Sequence, residues 1–168
     1  MSNPILLLMG VSGSGKTTIG AMLAGRLGWT YAEADDFHPR ANVEKMHAGI
    51  PLTDDDRRPW LEATARWMRD QTAPAVVTSS ALKRTYRDLL REGRPDLRLV
   101  YLEGDKELIG ERLAARQGHF FPRQLLDSQF ADLEAPGPDE DPVVVSIDGP
   151  PDQVVQRIID RAGLGGGA

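Results

Sequence analysis

The sequence predicts a three-layer α/β fold with a mainly parallel sheet, and three observations carry that prediction. Several short apolar runs lack polar alternation, as strands covered on both faces do. Stretches with helical periodicity lie between them, so strand and helix alternate along the chain. A glycine-rich segment, Gly10 to Gly15, joins the first apolar run directly to the first amphipathic stretch.

The strand candidates, in order, are Ile5 to Met9, Ala75 to Val77, Leu99 to Leu102 and Val143 to Val145, with Trp29 to Ala32 as a weaker fifth. Helical periodicity covers Thr17 to Leu27, Trp60 to Asp70, Tyr86 to Glu92, Lys106 to Arg116 and Gln153 to Ala162. Two intervals break the repeat. Asp35 to about Asp56 is rich in polar and special residues, and Gln117 to Asp141 mixes aromatics, arginine and a proline-rich turn. Excursions of that length in a compact domain are commonly binding loops or lids.

With 168 residues the chain can bury one sizeable core and is short for two. One domain over 1–163 is expected, with a substrate-binding region near 35–60, a lid near 116–141 and a flexible glycine-rich tail at 164–168. A net charge of -5 gives no global reason to bind nucleic acid or an anionic membrane, so an anionic ligand must meet a local positive site. Cysteine is absent, which excludes disulfides and thiolate metal sites and fits a cytoplasmic location. The first apolar run is too short to span a bilayer and lacks the basic flank of a signal peptide.

The decisive motif is Gly10-Val11-Ser12-Gly13-Ser14-Gly15-Lys16-Thr17, a complete G-x-x-x-x-G-K-[ST] between strand and helix. Glycines let backbone N–H groups converge on phosphate oxygens, and the helix aims its positive end at the same point. Lys16 is placed to reach the β- and γ-phosphates of ATP, and the Thr17 hydroxyl to ligate Mg²⁺, with Thr18 beside it. The loop alone does not choose among GTPase, ATPase and kinase. The guanine-reading N-K-x-D pattern is absent, which weighs against a GTPase.

The acceptor side is expected after the second strand, where Glu33-Ala34-Asp35-Asp36-Phe37-His38-Pro39 sets carboxylates at the carboxyl edge of the sheet. Asp35 is the candidate to bind an alcohol and take its proton; Asp36 could equally cap a helix. Three aspartates, Asp54 to Asp56, read as the acidic start of a helix whose first turn suits Pro59. Among the cations, Lys83, Arg84 and Arg87 follow the strand that ends at Ser79, and Arg112 and Arg116 share a helical face. Arg84, Arg91 and Arg94 read as ordinary surface charges. Arg116 reads as a lid residue closing on ATP and excluding water.

The phosphate loop, the 35–42 segment with Glu44-Lys45-Met46, the 49–57 segment leading to Pro59-Trp60-Leu61, the 80–88 segment, and Arg116-Gln117-Gly118-His119-Phe120 with Ser128-Gln129-Phe130 together resemble the thermoresistant-type gluconokinases. That resemblance implies a shikimate-kinase-like P-loop fold with a five-stranded parallel sheet, and transfer of phosphate from ATP to D-gluconate. It implies Lys16, Asp35 and Arg116 as catalytic, and Gly10, Ser12, Gly13, Ser14, Gly15, Lys16, Thr17, Thr18, Arg112 and Arg116 around the nucleotide. For gluconate it implies Asp35, His38, Arg57, Lys83, Arg87 and His119, and it admits a homodimer. Family members often carry cysteine where this chain has Ser79. Two alternatives stay open: a kinase of the same fold for another small acid such as shikimate, and a nucleotide-binding protein without catalysis.

Overall fold

The computed structural model describes residues 4–11, 14–50, 52–79, 81–94, 96–117 and 123–164; the side chains of residues 35, 113–117, 123–126 and 128 lie outside that description. Five strands form one sheet: β1 Ile5–Met9, β2 Thr30–Glu33, β3 Ala75–Thr78, β4 Arg98–Glu103 and β5 Val143–Ser146. Their spatial order is β2-β3-β1-β4-β5, and every pairing is parallel. All carboxyl ends therefore share one edge. The order reverses at β1, and the crevice outside its carboxyl end is where such sheets bind ligands.

The described helices are α1 Lys16–Leu27, α2 Arg40–His47, α3 Asp54–Arg69, α4 Arg84–Gly93, α5 Lys106–Gln117, α6 Arg123–Asp132 and α7 Pro151–Ala162. Leu6 and Leu8 of β1 pack in one core with Ile19 and Leu23 of α1, Ile109 of α5 and Ile158 of α7. Ile5, Leu7 and Met9 point the other way, to Trp60 and Met68 of α3 and Leu90 of α4. Burial on both faces explains the unbroken apolar run of β1. β2 sits at the edge, half-exposed, which is why its sequence signal is weak.

Three boundaries differ from the sequence-based reading. α3 starts six residues before Trp60, because Thr53 and Asp56 form a reciprocal capping box. Pro59 is thus the sixth helical residue rather than part of the first turn, and it withholds the amide that would bond to the Asp55 carbonyl. α2 lies inside the polar excursion and α6 inside the second one. α2 escapes a periodicity test because its one buried side chain, Asn42, is polar, while Val43 and Met46 face solvent.

Candidate active site

The turn from β1 to α1 is built around two glycines. A Cβ on Gly10 would come within 2.7 Å of Ser14 Oγ and 3.1 Å of the Leu102 carbonyl, so a side chain there would collide with the loop and with β4. Gly15 takes φ 91° where the chain enters α1, a left-handed conformation that favours glycine. Lys16 Nζ donates to the Gly10 and Val11 carbonyls at 2.8 and 3.2 Å, which lays the ammonium across the mouth of the loop. Thr17 and Thr18 are exposed in the first turn of α1. The hydroxyls of Ser14 and, at the end of β3, Ser79 are buried with no partner among the described residues. A cradle closed to side chains, orphan hydroxyls and a helix N-terminus fit a polyphosphate. Ser12 and Gly13 lie outside the described residues.

The segment expected on the acceptor side begins directly after β2, where residues Ala34–Phe37 form a 3-10 turn that carries Asp35 and Asp36. The Asp35 side chain is outside the description. Its backbone is held from α3: the Trp60 indole N–H donates to the Ala34 carbonyl at 2.6 Å. His38 stacks on Trp60 with ring centroids 4.3 Å apart. Asn42 reaches His38 Nδ1 at 3.2 Å and donates to the Asp56 carbonyl at 2.7 Å. Because the amide nitrogen is a donor, Nδ1 accepts and the neutral ring carries its proton on Nε2. Asp36 is exposed, and α2 is capped by Pro39 without a side-chain bond, so Asp36 is not that helix's cap.

A second group joins the starts of α3 and α4. Arg57 Nη1 donates to the Tyr86 hydroxyl at 2.9 Å, which donates to Asp54 Oδ1 at 2.6 Å. Lys83 Nζ lies 3.6 Å from the same Asp54 oxygen, and both cations sit over the Tyr86 ring. The Tyr86 hydroxyl, with Lys83 and Arg57, holds the Asp54 carboxyl below its ordinary value. Tyr86 and Asp54 together keep the Lys83 ammonium above its own. Burial and the bond to Asp54 push the Tyr86 phenol up. Near neutral pH the group is therefore two cations, one anion and a neutral phenol. Sequence reasoning singled out Arg57 and Lys83 but read Asp54 as a helix-start acid and Tyr86 as the first residue of a helix. Asp54 is in fact both, being the first residue of α3.

Arg87 is not where a substrate ligand should be. It is 1% exposed and grips Glu140 with Nε at 2.8 Å and Nη2 at 3.1 Å, while Nη1 donates to the Ala81 and Leu82 carbonyls. Those bonds hold the turn before Lys83, where Ala81 takes φ 42°. Arg84 pairs with Asp139 on the surface, as an ordinary surface charge would; Arg94 does not fit that reading, because its mostly buried guanidinium donates to the Met68 and Gln71 carbonyls as well as pairing with Asp96. On the nucleotide side, Arg112 Nη2 reaches the Gly149 carbonyl at 3.4 Å, beside the loop from β5 to α7. The backbone of Arg116 is in the last turn of α5; its side chain, and the whole of His119, fall outside the description.

A parallel five-stranded sheet in this order, with a phosphate loop at its reversal point, defines a P-loop kinase fold. A family model described as an AAA domain matches residues 5–136. The chain is 49% identical over 160 residues to the thermoresistant gluconokinase of Escherichia coli K12, covering 93% of this chain and 91% of that protein. It is 48% identical over 157 residues to the gluconokinase of Gluconobacter oxydans 621H, covering 92% and 88%. The crystal structure of a gluconokinase from Sinorhizobium meliloti 1021 superposes with a TM-score of 0.89 at 42% identity, covering 95% of this chain and 91% of that one. The chain belongs to the gluconokinase family. Shikimate kinase from Aquifex aeolicus shares the fold alone, at TM-score 0.57 and 17% identity over 98% of this chain and 99% of that one.

Proposed function

We propose that the protein transfers the γ-phosphoryl group of ATP to D-gluconate, giving ADP and 6-phospho-D-gluconate by direct in-line attack. The observation that carries the reading is the convergence of Arg57 and Lys83 on Asp54 and Tyr86, at the start of the helix whose Trp60 bonds to the 34–37 turn, in a chain with this family membership. A sugar acid needs a cationic partner for its carboxylate and hydrogen-bonding groups for its hydroxyls. Arg57 and Lys83 supply the first; His38, a donor at Nε2, and Asp35 supply the second. His119 joins them by resemblance. Arg87, committed to Glu140, is better read as support for the Lys83 turn than as a ligand of gluconate.

In the reaction the acceptor oxygen bonds to the γ-phosphorus as the bond to the departing ADP oxygen breaks, and Asp35 takes the hydroxyl proton. Lys16 and the amides of the 10–18 loop bind the phosphates, and Arg112 and Arg116 approach the nucleotide from α5. Thr17 is the residue that would hold Mg²⁺, which neutralises charge on the phosphates when bound. The rest of the metal's ligands would be phosphate oxygens, water and a carboxylate from outside the loop. The region 35–60 then serves the acceptor and 116–141 the lid. A cytoplasmic location, where ATP is supplied, and a homodimer complete the reading; sedimentation tests the latter.

The test is steady-state ADP release with MgATP against D-gluconate, shikimate, other sugar acids and nucleoside monophosphates. Gluconate is expected to be the strong acceptor, and Lys16→Ala to lower its turnover at least a hundredfold, roughly the effect of removing one transition-state donor. Equal turnover with shikimate would shift the assignment to the other acid; ATP binding with no stimulating acceptor would leave a non-catalytic protein.

A further inference from the structure

Asp54 occupies the ground between the two cations assigned to the substrate acid. Its Oδ1 is 3.6 Å from Lys83 Nζ and 3.9 Å from Arg57 Nη1. Charge-assisted hydrogen bonds run near 2.7–2.9 Å, so both ion pairs are loose. Among the described residues, the one short contact Asp54 makes is with the neutral Tyr86 hydroxyl, at 2.6 Å. The carboxylate is also far more exposed than its partners, 69% against 27% for Arg57 and 30% for Lys83. The neighbouring Asp56, by contrast, is bound to Lys45 through both oxygens at 2.9 Å and to the Thr53 amide. One aspartate is locked to a cation; the other is held by a neutral phenol and only loosely paired with the two cations beside it.

We propose that Asp54 is a built-in counter-anion of the acid-binding site, holding Arg57 and Lys83 together when no substrate is present and ceding them to the substrate carboxylate. This rests on the reading of Arg57 and Lys83 as the acid-binding pair. Two cations side by side repel, and an internal anion keeps both at the site. The same anion raises the threshold for any ligand that offers only negative charge. A simple inorganic anion gains nothing else in return, whereas a polyhydroxy acid adds its hydroxyl contacts. Asp54 thereby keeps the pair clear of small cellular anions.

The experiment measures the gluconate KM and the competitive inhibition constant of sulfate in the full chain, for the wild type, Asp54→Asn and Asp55→Asn. Asn at position 54 keeps an acceptor for Tyr86 and leaves the Thr53–Asp56 capping box untouched. Asp55 is an exposed neighbour in the same helical turn, so its variant makes the same change of net charge. For Asp54→Asn both constants should fall about two- to fivefold, the range of one exposed ion pair. Asp55→Asn should move neither. A higher gluconate KM in Asp54→Asn would overturn the proposal, because Asp54 would then be holding a substrate hydroxyl. An equal fall in both variants, or no fall in either, overturns it as well. Arg57→Ala and Lys83→Ala separate the two levels of the argument. If they leave the gluconate KM where it was, the acid-binding pair itself is wrong. If they raise it about tenfold or more while Asp54→Asn fails to lower it, only the counter-anion falls.

Discussion

His38 illustrates how a single side chain is fixed by groups on two separate helices. Trp60 presents a flat face and Asn42 fixes the tautomer, so Nε2 keeps its proton and acts as a donor. Asn42→Ala should therefore cost about 1–3 kcal/mol of stability, because the Asp56 carbonyl loses a buried partner. It should also raise the gluconate KM. Urea unfolding and steady-state kinetics check the two effects, and a KM that stays put would remove His38 from the acceptor site. Asp56 makes a pH prediction. The hydrogen bond from Lys45, followed by that from the Thr53 amide, lowers its pKa to about 2. A carboxyl depressed on folding stabilises the native state above its unfolded pKa, about 4, and loses that contribution as pH falls through the folded value. The difference in Tm between the wild type and Asp56→Asn should hence be full above about pH 4 and close as pH approaches about 2. At this scale the sequence disclosed residue types but not partners. Arg57, Lys83 and His38 were legible as candidates, while Asn42, Tyr86 and Asp54 were not, since their roles arise from contacts 14 to 32 residues away.

At the scale of elements, the acceptor side is fastened by segments that the sequence reading left as loops. Glu140 closes the Gly137–Glu140 turn by accepting the Gly137 amide and receives the Arg87 guanidinium. The Glu134 amide bonds to the Leu82 carbonyl at 2.8 Å, and the Glu134 carboxylate accepts from the Arg84 amide. Residues 134–140 are thus sewn to the turn that presents Lys83. Removing one partner of a buried ion pair leaves an uncompensated charge, so Glu140→Gln should destabilise the protein by about 3–5 kcal/mol in urea titration. It should also raise the gluconate KM through Lys83, and an unchanged KM in the folded fraction would show that the turn holds without the pair. Helix periodicity found α1, α4, α5 and α7 nearly whole; α1, α4 and α7 each bury apolar side chains along one face. It lost the start of α3, where five polar residues and a proline precede Trp60, and it lost α2, whose inner face is an asparagine.

On the scale of the whole molecule, the alternation of apolar runs and amphipathic stretches disclosed a parallel sheet with helices on both faces, and the phosphate loop disclosed what its first turn binds. The strand order β2-β3-β1-β4-β5 was not legible in that pattern, because every strand between the edges is equally apolar and pairing is decided by long-range packing. The order bears on the proposed reaction: it sets the end of β3, before the turn that carries Lys83, next to the phosphate loop after β1, with the end of β2 one strand further out. A phosphoryl group held at the loop can then meet an alcohol held on the neighbouring strands. The most direct test of that arrangement is the identity of the product. With γ-³²P-labelled MgATP and D-gluconate, the label should appear in 6-phospho-D-gluconate in proportion to the ADP formed, and Lys16→Ala should abolish both. Label released as inorganic phosphate while gluconate remains unmodified would contradict the account.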